Sequence, residues 1–137
     1  LLFSCQEKTP ECQEKTDFGH SKLGFNFGAA LASAELATAM NPRFLSALTL
    51  TVVPNTPIAR AEQKGIFTMP DIPTTLLELR TFVSNANPTD SIFRTNHASN
   101  RLPVAGRLPR DKNNIVAAID EALRGDLPLR PEWLRGL

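Results

Sequence analysis

The longest apolar stretch of the chain, residues 44–53, predicts a buried β-strand. Its apolar residues form a nearly continuous run, which is typical of a strand covered on both faces in a parallel sheet. Pro54 cannot donate a ladder hydrogen bond, so we expect strand pairing to end there. In the turn that follows, Thr56 is a predicted helix N-cap and Pro57 a predicted first helical residue.

Four further segments have helical composition or periodicity, and a second short segment favours β-structure. The predicted helices are 29–40, 57–64, 72–84 and 109–123, and the second predicted strand is 91–95. In the alanine-rich first helix, Leu31, Leu36 and Met40 are expected to form the buried stripe. The alternation of helices and strands predicts a helix-rich α/β fold with two or three short parallel strands.

The two ends of the chain lack this periodicity. Residues 1–28 are predicted to be a mobile polar arm beside a body of residues 29–137, with a possible short strand at 22–28. The arm contains the sequence Cys-Gln-Glu-Lys-Thr twice, starting at Cys5 and at Cys12. Two cysteines do not complete a tetrahedral metal site, so reduced thiols in a polar repeat are the favoured interpretation. At the other end, Trp133 is expected to dock on the body.

The composition indicates more about the partners of the chain than about the chemistry it could perform. With 137 residues and a formal net charge of +1 at pH 7, it is one domain or a piece of a larger one. The small net charge favours neither nucleic acid nor a membrane surface as a partner. Because no apolar run approaches the ~20 residues that span a bilayer, we expect a cytoplasmic protein.

The loop after the second predicted strand contains the densest group of polar side chains. A loop in this position lies at the carboxyl edge of a parallel sheet, where α/β proteins bind ligands. His97 is a candidate for proton transfer, and Asn96, Ser99 and Asn100 are candidates for orienting a polar ligand. The alternative is that these turn-forming residues bind their own backbone and that His97 is a hydrogen-bonded strut.

Basic residues surround the same loop, opposed in the sequence only by Asp111. They are Arg94, Arg101, Arg107, Arg110 and Lys112. Guanidinium groups bind carboxylates and phosphates through paired hydrogen bonds. The basic loop therefore supports one hypothesis for function, a non-catalytic α/β module that binds an anionic small molecule or a protein partner.

Five segments make residues 33–137 resemble the C-terminal part of a radical SAM family protein, within an uncharacterised bacterial subfamily. They are 40–42 (Met-Asn-Pro), 48–57 (Leu-Thr-Leu-Thr-Val-Val-Pro-Asn-Thr-Pro), 93–100 (Phe-Arg-Thr-Asn-His-Ala-Ser-Asn), 108–112 (Leu-Pro-Arg-Asp-Lys) and 129–133 (Leu-Arg-Pro-Glu-Trp). Many members of this family have glycine where Asn55 stands. The resemblance implies a partial β/α, TIM-like barrel whose enzyme uses a 4Fe–4S cluster to cleave S-adenosylmethionine reductively.

The resemblance also implies roles for particular residues. Those expected to contact S-adenosylmethionine are Val52, Val53, Pro54, Asn55 and Thr56. Those expected to contact substrate are Arg94, Asn96, His97 and Asn100, and no catalytic residue is assigned. The Cys-x3-Cys-x2-Cys loop that holds the cluster in the family is absent from this chain.

This absence makes us expect that the chain alone binds no cluster, has no metal site and is inactive, so whether it is an enzyme stays open. The expected partners are the missing N-terminal half of a barrel or a second copy, joined through exposed strand edges.

Overall fold

A single mixed β-sheet with helices packed on one face organises the computed structural model, which describes residues 2–5 and 27–135. The strands are β1 (Leu2–Cys5), β2 (Phe44–Leu48), β3 (Ser91–Arg94) and β4 (Ala105–Leu108). The helices are α1 (Phe27–Met40), α2 (Pro57–Gln63), α3 (Ile72–Asn85) and α4 (Lys112–Arg124), followed by a 3₁₀ turn at Glu132–Leu134. The prediction of a helix-rich α/β fold is therefore confirmed.

The sheet has the strand order β1-β2-β3-β4, and only its central pair is parallel. In that pair Leu45 lies opposite Phe93. The two predicted strands are therefore parallel, as expected, whereas the outer strands β1 and β4, which were not predicted, run antiparallel to β2 and β3 respectively and make the sheet mixed. As a result, β2 and β3 have no free edge within the described sheet, and the strand edges that remain belong to β1 and β4.

Strand β2 ends at Leu48, five residues before the predicted end of the strand at Val53. The backbone N–H of Thr49 donates to the side-chain oxygen of Asn100 at 2.8 Å, where a ladder hydrogen bond to a strand would otherwise form. Strand β4 lies between the second predicted strand and the last predicted helix, where no strand was predicted because Ala-Gly-Arg-Leu has little intrinsic β-propensity. Its conformation comes from pairing with β3.

The helical face of the sheet contains the hydrophobic core. Side chains alternate between the faces of a strand, so Leu45 and Phe93 point together towards α1, α3 and α4. Helix α3 lies between α1 and α4, and the ring centroid of Phe82 is 6.0 Å from that of Phe93. The apolar stripe of α3, Leu76, Leu79, Phe82 and Val83, is buried.

Helix α1 buries alanines instead of the predicted leucine stripe. Ala30, Ala34 and Ala37 are buried, whereas Leu36 is 54 % exposed, so its predicted burial is wrong. Small residues spaced by about one turn allow the backbones of α1 and α3 to approach closely. Apolar residues occur on all sides of this helix, so the sequence does not indicate which side faces the core.

The chain termini differ from the predictions in two places. Residues Leu2–Cys5 belong to the predicted arm and form β1, while Cys12 and residues 22–26 lie outside the described residues. Trp133 is 80 % exposed, so its predicted docking on the body is wrong. Polar contacts hold the tail instead, as described below. None of the described helices has the length and apolar character needed to cross a membrane.

Candidate functional site

Asn100 joins the carboxyl ends of the two parallel strands. Its side-chain amide donates to the carbonyl of Ala47 at 2.7 Å and to that of Thr95 at 2.9 Å. Its side-chain oxygen accepts from the backbone N–H and the hydroxyl of Thr49, at 2.8 and 3.0 Å. Asn100 is 4 % exposed and all four of its usual hydrogen bonds are made, so its side chain acts as a structural clamp.

The other predicted substrate contacts lie on the solvent side of this clamp. Arg94, Asn96 and His97 are exposed, and the first two make no side-chain hydrogen bond to any other described residue. The ring Nδ1 of His97 accepts from the backbone N–H of Ser99 at 3.1 Å and lies 2.9 Å from the Ser99 hydroxyl oxygen. Neutral His97 therefore has its ring proton on Nε2. The structure brings all four predicted residues to one edge of the sheet.

Two arginines of the C-terminal tail hold the loop from outside. Nη1 of Arg130 donates to the carbonyls of His97, Ala98 and Asn100, at 3.0, 3.4 and 3.2 Å. Nε of Arg135 donates to the carbonyl of Ser99 at 3.0 Å. Charge-assisted hydrogen bonds to four successive carbonyls fix the loop backbone and attach the tail to it.

The turn implied to contact S-adenosylmethionine follows β2 at the same edge. Asn55 has a φ angle of +66°, in the left-handed region that favours glycine and, among other residues, asparagine. Thr56 caps α2 as predicted, accepting from the N–H of Ala59 at 3.3 Å. Val53, Pro54 and Asn55 are exposed.

One buried polar atom lies beside this turn. The hydroxyl oxygen of Thr51 is buried and has no hydrogen-bond partner among the described residues. Buried hydroxyl groups are usually satisfied by protein, water or ligand. Together with the exposed turn 52–56, Thr51 makes this part of the carboxyl edge a candidate ligand contact.

Three of the five predicted basic residues are paired with acids, two of them with acids that are distant in sequence. Arg107 makes two hydrogen bonds to Asp90, Arg101 pairs with Glu132, and Arg110 pairs with Asp111. Hydrogen bonds from Arg110 and from the Arg107 amide lower the pKa of Asp111 to about 2. The charge excess expected from the sequence is therefore largely neutralised.

The two remaining basic side chains have different surroundings. The Lys112 ammonium donates to the carbonyl of Ser84 at 3.0 Å and also contacts Asn87, and its partial burial lowers its pKa. Arg94 has no ion-pair partner among the described residues. It projects from the sheet face opposite the helices, because its neighbour Phe93 points into the core.

A cleft of about 180 Å³ opens on the helical side of the same edge. Thr49, Arg101 and Arg135 contribute polar groups to its lining, and the first turns of α3 contribute Ile72 and Leu76. No role at this cleft was expected for Thr49 or Arg135 from the sequence. The i,i+3 spacing of Glu132 and Arg135 was the one available signal, since such pairs form ion pairs on a helical turn.

The described residues do not fit an iron–sulfur cluster. They contain no group of three or more histidine, cysteine or acidic side chains able to hold a metal ion. The whole chain has two cysteines, whereas the cluster of the family needs three thiolates. No chemistry that depends on a cluster is therefore assigned to these residues.

Comparison with protein-family models, with curated proteins and with solved structures finds no match to this chain.

Proposed function

We propose that this chain is the C-terminal segment of a radical SAM enzyme. In this proposal the turn 52–56 contributes to the adenine side of an S-adenosylmethionine pocket, and Arg94, Asn96 and His97 contact substrate. The supporting observation is the clamp made by Asn100, which ties the carboxyl ends of β2 and β3 together. Both groups of residues then share one edge, where parallel α/β folds bind ligands.

Two local features support a ligand at the turn. Asn55 has a left-handed backbone, a conformation that glycine adopts readily, and many radical SAM proteins have glycine at this place. The unpartnered hydroxyl of Thr51 offers a buried hydrogen-bonding group beside it. Adenine has several ring nitrogens and an amino group, and a single hydroxyl together with backbone groups is a suitable partner for such a base.

The cluster-binding half of the proposed enzyme lies outside this chain. Strand β1 pairs antiparallel with β2, at the edge where a preceding barrel strand would run parallel. Assembly of a partial β/α barrel therefore requires that an upstream strand take the place of β1. The sheet face opposite the helices, from which Arg94 projects, would then line the barrel interior.

The decisive experiment is to sequence the DNA upstream of this chain. We expect a segment encoding Cys-x3-Cys-x2-Cys, either in frame or in a shifted frame. The upstream segment joined to this chain should bind iron and sulfide, show the visible absorption of a thiolate-bound cluster and, with dithionite as the electron donor, release 5′-deoxyadenosine from S-adenosylmethionine. The chain alone should do none of these. If upstream DNA encodes no such segment in any frame, the proposal is wrong.

The second candidate function is the non-catalytic module that binds an anion through the basic loop. The exposed Arg94, without an ion-pair partner among the described residues, is the observation that favours it. Calorimetry with nucleotides and organic acids tests this candidate. Binding that is lost in Arg94→Gln and retained in Arg60→Gln, an exposed arginine on α2, would support it over the first.

A further inference from the structure

Arg101 and Arg135 line the cleft on the helical side of the sheet, and one carboxylate bridges them. Nη1 of Arg135 donates to both carboxylate oxygens of Glu132 at 2.9 Å, and Nη2 of Arg101 contacts Oε2 of the same group. The Arg135 side chain is 10 % exposed and that of Glu132 is 69 % exposed. A nearly buried guanidinium is thus paired with an acid that remains in solvent.

The two arginines have N–H donors that are not used in hydrogen bonds to described residues. Within the described part of the chain, Nη2 of Arg135 and both Nε and Nη1 of Arg101 make no hydrogen bond. A guanidinium carries five N–H donors in one plane, and carboxylates match two of them at a time. The pair, with a formal charge of +2 against the −1 of Glu132, retains both the charge and the donors to bind a second anion.

The rest of the cleft lining is mainly apolar and favours an apolar group beside the anion. It includes Ile72, Leu76 and Leu79 of α3. The Asp71 carboxylate also lines the cleft, where it caps α3 by accepting from the N–H of Thr74. The volume of about 180 Å³ is slightly larger than the ~150 Å³ apolar cavity that accommodates benzene in another protein. One six-membered ring or a branched aliphatic chain of similar size therefore fits, with its charged end at the arginines.

We propose that this cleft is a binding site for a small aryl or branched-chain carboxylate, with Arg101 and Arg135 as its anion contacts. Glu132 is the internal competitor: its carboxylate occupies part of the same donor set and keeps the pair partly neutralised. Its pKa is lowered, first by the hydrogen bond from Arg135, so it stays charged at neutral pH and competes there. This site lies on the helical side of the sheet and does not depend on the proposed radical chemistry.

Benzoate is the probe, and benzyl alcohol is its uncharged counterpart. Binding is followed by calorimetry and by ¹H–¹⁵N chemical shifts of Thr49, Ile72 and Arg101. Saturable benzoate binding is expected, with benzyl alcohol at least about tenfold weaker because it cannot pair with guanidinium groups. Glu132→Gln should tighten benzoate binding about fivefold, as expected when an exposed ion pair is removed.

Glu121→Gln provides the matched control, because Glu121 is an exposed glutamate on α4 and the variant has the same net charge. Its benzoate affinity should equal that of the unmodified chain. Arg101→Gln should weaken binding, and unchanged amide shifts elsewhere would show that its fold is intact. Equal affinities in the two glutamine variants, equal binding of benzyl alcohol, or no saturable binding by Glu132→Gln would each overturn the proposal.

Discussion

The side-chain amide of Asn100 donates to the backbone carbonyl of Ala47 at 2.7 Å, across 53 positions of sequence. At the end of β2, the buried side chain of Asn100 thus makes the backbone hydrogen bonds that a neighbouring strand makes along the rest of β2. The hydrogen bonds of β2 to its neighbouring strand end at this contact, where the chain turns away from the sheet. It explains why β2 stops at Leu48 although the apolar run continues to Val53.

Replacing Asn100 should therefore destabilise the fold strongly. Asn100→Ala leaves the Ala47 and Thr95 carbonyls and the Thr49 N–H without their partner in a buried place. We expect a loss of about 2–4 kcal/mol in the free energy of unfolding, measured by urea denaturation. Asn96→Ala, an exposed asparagine of the same loop, should change it by less than about 0.5 kcal/mol. Equal effects of the two substitutions would contradict the clamp.

Arg130 should control the rigidity of the loop more than global stability. In Arg130→Met the carbonyls of His97, Ala98 and Asn100 lose their shared donor, while the apolar stem is approximately retained. Native-state hydrogen exchange of amides 97–101 should accelerate about tenfold, with little change in α3. Arg124→Met, an exposed arginine paired with Asp126, is the control and should leave these amides unchanged. Uniform acceleration over the whole chain would instead indicate general destabilisation.

Asn55 should respond to substitution according to its backbone conformation. At a φ of +66° an alanine is strained by about 1 kcal/mol, whereas glycine is not. Asn55→Ala is therefore expected to lower the free energy of unfolding by about 1 kcal/mol, and Asn55→Gly to leave it nearly unchanged. Thermal unfolding of both variants measures the difference. A more stable alanine variant would show that the turn has another conformation in solution.

The parts of the fold that were predictable from the sequence are those specified by local signals. Helix α3 begins where Asp71 accepts from the N–H of Thr74, and its stripe from Leu76 to Val83 is apolar at helical spacing. Gly125, in the left-handed conformation that glycine favours, ends α4 close to the predicted end at residue 123. In these segments the local preference and the tertiary structure agree.

The parts that were missed depend on contacts between distant residues. Strand β4 has too little β-propensity to be detected and forms because β3 lies beside it. The predicted cationic loop is neutralised by Asp90, 17 positions before Arg107, and by Glu132, 31 positions after Arg101. A single sequence does not indicate which acid meets which base.

In the candidate site, too, the position of a residue was predictable from local signals and its contacts were not. Asn100 belongs to a loop that follows a predicted strand, so its position at the carboxyl edge could be predicted. The structure confirms this position. The burial and the hydrogen bonds of its side chain depend on the positions of Thr49 and Ala47. No local sequence pattern reveals those positions. Polar residues of a loop were therefore located correctly without their roles being resolved.

Gly106 should not tolerate a side chain, because a Cβ atom there would lie 3.0 Å from Cβ of Asp111 and from Cδ1 of Ile115. Alanine would gain about 0.5–1 kcal/mol from lower unfolded-state entropy, but forcing apart packed atoms costs about 1–3 kcal/mol. We expect Gly106→Ala to be destabilising by about 1 kcal/mol in urea unfolding. The neighbouring exposed Ala105→Ser should be nearly neutral. A stabilised Gly106→Ala variant would show that α4 lies farther from β4.

Asp111 should contribute to stability in a specific range of acid pH. Its pKa in the folded chain is about 2, below the ordinary value of 3.8, because Arg110 and the Arg107 amide bond its carboxylate. A group with a lowered folded-state pKa stabilises the fold above its unfolded-state pKa, and this contribution is lost as pH falls towards 2. Unfolding free energies measured from pH 5 to pH 2 should therefore fall less steeply in Asp111→Asn than in the unmodified chain. Asp126→Asn, which removes an exposed acid paired only with Arg124, should retain the original slope. If Asp111→Asn keeps that slope as well, the carboxylate does not make these hydrogen bonds in solution, and the junction between β4 and α4 must be held by its apolar contacts alone.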